Sequence, residues 1–196
     1  MSLRVIAGSA KGRQLKRVPG DTTRPIMDRV KEALFSILGR DVLDARVLDI
    51  FAGTGSVGIE ALSRGAKHAV FMDLEPKAIQ TIQENLTLTK LTQKATVRRG
   101  DAFSYLGGRV EQPYDLIYVA PPQYKTMWLK TLQLIDQQPA WLAADGTIIV
   151  QIDPSEYQPA ALTHFEIDDE RKYGNTLLIF LSHPQPGEST EPSAQE

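Results

Sequence analysis

Four short stretches of the chain carry residue types and spacings that could do chemistry. The first, Gly53-Thr54-Gly55-Ser56-Val57-Gly58, fits the pattern G-x-G-x-x-G. It follows an apolar run, Arg46–Ile50, and opens a helical one, Val57–Arg64, which suits a nucleotide-like ligand on an α/β sheet. Asp49 stands just ahead of these glycines, at the carboxyl end of the first strand. Asp73 closes a second strand-like run, Ala69–Asp73, and Asp101 follows a third, Ala95–Arg99. The fourth stretch, Ala120-Pro121-Pro122-Gln123-Tyr124, follows the run Tyr114–Val119.

The acids discriminate between ligands. Asp73 lies about 20 residues beyond the glycines, where a dinucleotide-binding fold places its ribose acid, so an NAD-linked dehydrogenase is one reading. Asp49 opposes it, because a pyrophosphate there would meet a carboxylate in a partly desolvated crevice. S-adenosylmethionine has no phosphate, and its ammonium and sulfonium are cations that Asp49 would attract. Asp73 can then accept both ribose hydroxyls and Asp101 the adenine amino group. The glycines allow close backbone approach to the methionine part. The expected cofactor contacts are Asp49, Phe51, Gly53, Gly55, Asp73, Asp101 and Ala102.

Val47-Leu48-Asp49-Ile50-Phe51-Ala52-Gly53-Thr54-Gly55 resembles the first motif of class I S-adenosylmethionine-dependent methyltransferases. Longer runs are more specific: Arg4-Val5-Ile6-Ala7-Gly8, Lys11-Gly12-Arg13-x-Leu15, Arg24-Pro25-x-x-Asp28 through Leu38, and Gly58 through Ala66. Together they resemble the bacterial 16S ribosomal RNA guanine-N2 methyltransferases of the small subunit, across residues 3–181. The resemblance implies an enzyme acting on guanine N2 of 16S rRNA, or of a small-subunit assembly intermediate; a monomer is expected, and a cytoplasmic place follows as the default from the absence of a spanning run or signal.

In that class, Asp/Asn-Pro-Pro followed by an aromatic holds an amine for methylation. An exocyclic amine is a poor nucleophile, and acceptors on its N–H groups orient it and stabilise the charge it develops. Consecutive prolines present carbonyls on a rigid chain, and the aromatic stacks on the base. This chain departs twice, with Ala120 in place of the acid or amide and the aromatic displaced to Tyr124. Ala120, Pro121, Pro122, Gln123 and Tyr124 are the expected catalytic set, with carbonyls and Gln123 replacing the lost acceptor. The competing readings are an RNA-binding protein that keeps the cofactor but has lost catalysis, and a methyltransferase of another amine, in DNA adenine or a protein amide.

Elements to position these groups alternate along the chain. Asp28 opens a helix with Val30, Ala33, Leu34, Ile37 and Leu38 on one face, stopped by Gly39. Further helices are expected at Pro76–Lys90 and Thr126–Gln137, and strands at Thr147–Ile152, Leu162–Ile167 and Thr176–Leu181. The expected fold is α/β, a doubly wound, mostly parallel seven-stranded Rossmann-like sheet with an N-terminal basic β-hairpin. Its divisions are a basic arm at 1–23, a methyltransferase domain at 24–183 and a disordered tail at 184–196.

Charge and composition narrow the chemistry. Residues 1–31 hold eight Lys and Arg against two Asp, a local +6, which leaves −8 for the rest of a chain of net charge −2. The arm is therefore expected to meet a polyanion, with Arg13, Lys16, Arg17 and Arg24 as RNA contacts. The chain has no Cys, which excludes disulfides, thiolate nucleophiles and C5-pyrimidine methylation through a thiolate adduct. His68, His164 and His183 lack metal-ligand spacing, so no metal is expected. No apolar run approaches the roughly 20 residues of a spanning helix, and the N-terminus reads as having no secretory signal.

Overall fold

Apolar strands alternating with amphipathic helices build a parallel sheet covered on both faces. The structure is a computed structural model and describes residues 3–20, 26–123 and 126–184. The strands are β1 (Arg46–Asp49), β2 (His68–Asp73), β3 (Ala95–Arg99), β4 (Tyr114–Val119), β5 (Leu142–Ile152), β6 (Glu166–Tyr173) and β7 (Thr176–Ser182). They form one sheet of order β3-β2-β1-β4-β5-β7-β6. Every pairing from β3 to β5 is parallel, and β7 runs antiparallel to both neighbours. Winding reverses between β1 and β4, so the binding crevice falls beyond the carboxyl ends of those two strands.

Helices α1 (Asp28–Leu38), α2 (Ser56–Ser63) and α3 (Pro76–Thr89) join the N-terminal arm on one face of the sheet. Helices α4 (Ala102–Leu106) and α5 (Met127–Gln137) cover the other. The two cores alternate along each strand: Val47, Phe71, Tyr118 and Ile149 point to the first, and Leu48, Met72, Val119 and Val150 to the second.

Three elements differ from the sequence expectation. α1 buries Val30, Lys31, Leu34, Phe35 and Leu38, and Ile37 is 41% exposed. The helix is rotated because the Lys31 ammonium finds partners inside, which a periodicity count of apolar residues does not register. The strand expected at 162–167 begins only at Glu166 and runs on through Asp168–Lys172. It is an edge strand, where charged side chains are usual, and the Thr163 and His164 amides before it are held by the Asp136 carboxylate. β5 starts at Leu142 rather than Thr147, with irregular pairing opposite Tyr114 and Leu116.

The arm is a tight hairpin, with Val5 N donating to Arg13 O (2.9 Å), Leu15 N to Leu3 O (2.7 Å), and a single bridge between Arg4 and Gln14. Its tip caps the end of α2: Ser9 N donates to Ser63 O (2.8 Å) and Ala10 N to Ser63 Oγ (2.9 Å). These bonds satisfy groups that a helix terminus leaves without partners. Gly8 makes the approach possible, since φ is +82° and a Cβ would lie 1.8 Å from Ser63 O.

Behind the tip lies a buried ion pair. Lys31 Nζ and Glu60 Oε2 are 3.5 Å apart with both side chains 0% exposed. Lys31 donates to Arg4 O (2.6 Å) and Ser56 Oγ (2.9 Å). Glu60 accepts from Ile6 N (2.8 Å), Ala7 N (3.0 Å) and Arg64 Nε (2.8 Å). Burial pulls the Lys31 amine below its ordinary pKa, with Glu60 opposing. Lys31 therefore does not belong to the arm's outward charge. Arg4 and Lys16 are also paired, with Asp28 and Glu84, each at 2.9 Å.

Gly8→Ala is expected to lift the arm tip from α2 without unfolding the sheet. Hydrogen exchange should show lost protection at the Ser9 and Ala10 amides, by about 1–3 kcal/mol, with β1 and β4 unchanged. Unaltered protection of those two amides would contradict this packing.

Candidate active site

β1 delivers Asp49 to the switch point, in register with Phe71 of β2 and Tyr118 of β4. The side chain is 1% exposed. Its Oδ2 accepts from Gly58 N (3.2 Å), while Oδ1 has no hydrogen-bond partner among the described residues. Burial pushes the carboxyl pKa up to about 7, with the Asp73 charge adding and the Gly58 amide opposing. The start of α2 covers Asp49 almost completely.

The glycine loop explains that seal. Gly55 adopts φ +74° at the start of α2, turning the chain sharply over the end of β1. A Cβ on Gly58 would lie 2.4 Å from the Phe71 ring, so only glycine lets α2 rest directly on the sheet. A Cβ on Gly53 would enter open space, which leaves its backbone reachable by a ligand.

Asp73 is half-buried at the end of β2, where Oδ2 accepts from Gly53 N (2.8 Å) and Oδ1 from Glu75 N (2.9 Å). It thus shapes the glycine loop itself, and each carboxylate oxygen keeps capacity for a ligand hydroxyl. Asp101 is exposed at the start of α4, with Oδ1 accepting from Ser104 N (2.8 Å) and Ser104 Oγ (3.0 Å). These bonds hold its carboxyl below the usual range. Ala102 is buried in the same short helix, and the half-buried Phe51 ring meets Phe103 edge-on at 6.4 Å. α4 itself was not foreseen; Asp101 with Ser104 is its cap signature.

At β4, Tyr118 O accepts from Ile50 N (3.1 Å), which sets the end of that strand beside Asp49. Ala120 packs partly against the arm-side core, Pro121 is half-buried, and Pro122 and Gln123 are exposed. Tyr124 and Arg24 lie outside the described residues. Sequence reasoning missed a polar pair here. Val119 pairs with Val150, so Gln151 is the next position beside Ala120, on the face shared by Tyr118 and Ile149. The buried Tyr118 hydroxyl donates to Gln151 Oε1 (2.6 Å). Desolvation keeps that phenol protonated far above neutral pH. The only signal in the sequence was a lone amide in the run Ile148–Ile152.

The arm residues lie on another side. Arg13, Lys16 and Arg17 are exposed, and Lys16 and Arg17 line a shallow cleft of about 390 Å³ with Lys77 and Gln80 of α3. None of the three acids of the cofactor set lines this cleft. Among the described residues no group of His, Asp and Glu could hold a metal ion, and no helix is long and apolar enough to cross a membrane.

A buried carboxylate with one unfilled oxygen suits a cationic ligand and repels a pyrophosphate, so the residues present fit S-adenosylmethionine and not NAD. Known proteins agree. The family described as Conserved hypothetical protein 95 matches residues 3–182. The Bacillus subtilis protein YlbH, which carries a provisional rRNA methyltransferase name, is 41% identical over 89% of this chain and 95% of its own. Escherichia coli Ribosomal RNA small subunit methyltransferase D is 30% identical over 95% of this chain and 93% of its own. The solved structure of Escherichia coli yhhF, provisionally described as a methyltransferase, superposes with a TM-score of 0.81 at 30% identity, covering 93% of this chain and 98% of that one. The fold and the site define an S-adenosylmethionine-dependent methyltransferase of class I. Within that class, the chain belongs to the Conserved hypothetical protein 95 family.

Asp49→Asn separates the carboxyl's cost from its use. The folded pKa is raised, to about 7, so wild-type stability falls as pH rises from the unfolded value towards 7. The variant lacks that loss. In urea melts it should be more stable than wild type at pH 8, by about 4 kcal/mol, with the gap narrowing as pH falls and closing near the unfolded value of 3.8. Calorimetry should show its affinity for S-adenosylmethionine reduced at least tenfold. Equal affinity would remove Asp49 from the site.

Proposed function

We propose that this chain methylates the exocyclic N2 of a guanine in 16S rRNA, presented by the small ribosomal subunit or an assembly intermediate, as a cytoplasmic monomer. The observation that carries the reading is a shared sheet edge. Asp49, with its buried Oδ1 unpaired among the described residues, lies in register with β4, and the Ala120 and Pro121 carbonyls follow with Gln151 beside them. The names of the full-length relatives support the ribosomal target.

When bound, the cofactor supplies an electrophilic methyl group. The chain's own residues then have separate tasks. Asp49 neutralises the cofactor's positive end, Asp73 and Asp101 hold ribose and adenine, and Gly53 and Gly55 admit it closely, with Phe51 and Ala102 as flanking contacts. The Ala120 and Pro121 carbonyls accept the target amine's N–H groups, on a segment stiffened by Pro122. Gln151 Oε1, which keeps a second lone pair beyond its bond to Tyr118, supplies the side-chain acceptor that Ala120 cannot. Gln123 is exposed and takes a lesser part, and Tyr124 supplies the stacking face. Arg13, Lys16, Arg17 and Arg24 grip phosphates.

The test uses small subunits from a strain lacking the gene, incubated with isotopically labelled S-adenosylmethionine and digested for nucleoside mass spectrometry. One N2-methylguanosine per particle is expected. Gln151→Ala should lower kcat about 100-fold, the lower end of the range for one lost oriented hydrogen-bonding group, with cofactor KM unchanged. Retained cofactor binding without turnover on any subunit preparation would support the retired-enzyme reading, which Ala120 favours. Label in DNA adenine or protein would transfer the reading to those amines.

A further inference from the structure

Two buried polar side chains each bind both the basic arm and the glycine loop. Asn85 of α3 is 0% exposed. Its Oδ1 accepts from Lys16 N (2.7 Å), and its Nδ2 donates to Lys16 O (3.1 Å) and to Thr54 O (2.9 Å). Lys31, from α1, reaches Arg4 O and Ser56 Oγ at 2.6 and 2.9 Å. Thr54 and Ser56 flank Gly55, the residue that turns the loop, while Arg4 and Lys16 stand on opposite strands of the arm hairpin. Two bridges from different helices thus connect the same two segments. Asn85 also uses both of its N–H bonds in doing so, with none spare for a ligand.

We infer that Asn85 and Lys31 are positioning residues that couple the cofactor loop to the RNA-binding arm, so that cofactor and rRNA each strengthen binding of the other. The Lys31 ammonium is spent on Arg4 O, Ser56 Oγ and Glu60, and both Asn85 N–H bonds on Lys16 O and Thr54 O, so neither keeps a donor for cofactor or RNA. Their effect passes through Lys16, Arg4, Thr54 and Ser56. A loop ordered by its ligand holds Asn85 and Lys31 in their bonded geometry. The arm then loses less freedom when it meets RNA. The coupling is reciprocal by thermodynamic necessity. An N-terminal arm with its own freedom would need no shared buried partner; here the Lys16 side chain is also tied, to Glu84 one residue before Asn85.

This inference rests on the reading of the arm as the RNA contact. Its test measures binding of the full chain to small ribosomal subunits lacking the modification, with and without saturating S-adenosylhomocysteine. Subunit affinity should rise at least fivefold with S-adenosylhomocysteine, and S-adenosylhomocysteine affinity should rise by the same factor with subunits. Asn85→Asp keeps the acceptor for Lys16 N and loses both donors, so it should reduce that factor below twofold. Binding of S-adenosylhomocysteine alone should stay within threefold of wild type. A merely structural role for Asn85 would lower melting temperature and leave the factor intact, which would overturn the inference. So would wild-type subunit affinity that is independent of S-adenosylhomocysteine, a result that needs no variant. Absence of subunit binding under both conditions would overturn the RNA reading and this inference with it.

Discussion

The site is organised by one carboxylate that folding buries without completing. Asp49 is enclosed by α2 and the sheet, with one oxygen held by the Gly58 amide and the other unpaired among the described residues. Leaving such a group unsatisfied costs about 1–3 kcal/mol, so the fold keeps Asp49 at the expense of stability. The glycine loop follows from the same requirement. Gly58 brings α2 down onto Phe71, and Gly55 turns the chain tightly enough to start that helix over the strand end. Sheet topology determines where this happens, because β1 and β4 are the strands between which winding reverses.

The arm is part of the same construction. Glu60 sits inside α2 and receives two backbone amides of the arm, while Lys31 balances its charge and reaches Ser56 at the start of that helix. Removing one partner of a buried pair leaves an uncompensated charge, at about 3–5 kcal/mol. The arm is therefore fastened to the helix that seals Asp49, and its exposed Arg13 and Arg17 are presented from a fixed base.

Much of this was legible in the chain. The strand run Tyr114–Val119 and the helix starting at Pro76 stand where periodicity placed them, because each buries a regular set of side chains; Ala95–Arg99 stands there too, although it is only half-buried and its end is exposed. α1 has the expected bounds and buries Val30, Leu34 and Leu38 as expected; Lys31 and Phe35 inside and Ile37 outside were missed, because the inner face includes a lysine whose partner, Glu60, lies far away in sequence. β6 was misread because an edge strand has no apolar alternation to detect. At the site, local spacing revealed the acids and the glycines. Gln151 and Asn85 stayed hidden, since each gains meaning only from a neighbour in another element: Tyr118 and Ala120 for the first, Lys16 and Thr54 for the second.

The central claim is that Asp49 is an acid awaiting a cation. Its pKa near 7 in the ligand-free protein means that at pH 6.5 the buried carboxyl is largely protonated, and a cationic ligand must drive that proton off. Calorimetric titration with S-adenosylmethionine at pH 6.5, in two buffers of different ionisation enthalpy, measures this directly. The wild type should release a substantial fraction of one proton per cofactor bound, and Asp49→Asn none. Wild-type binding with no proton released, or release that persists in the variant, would contradict that claim.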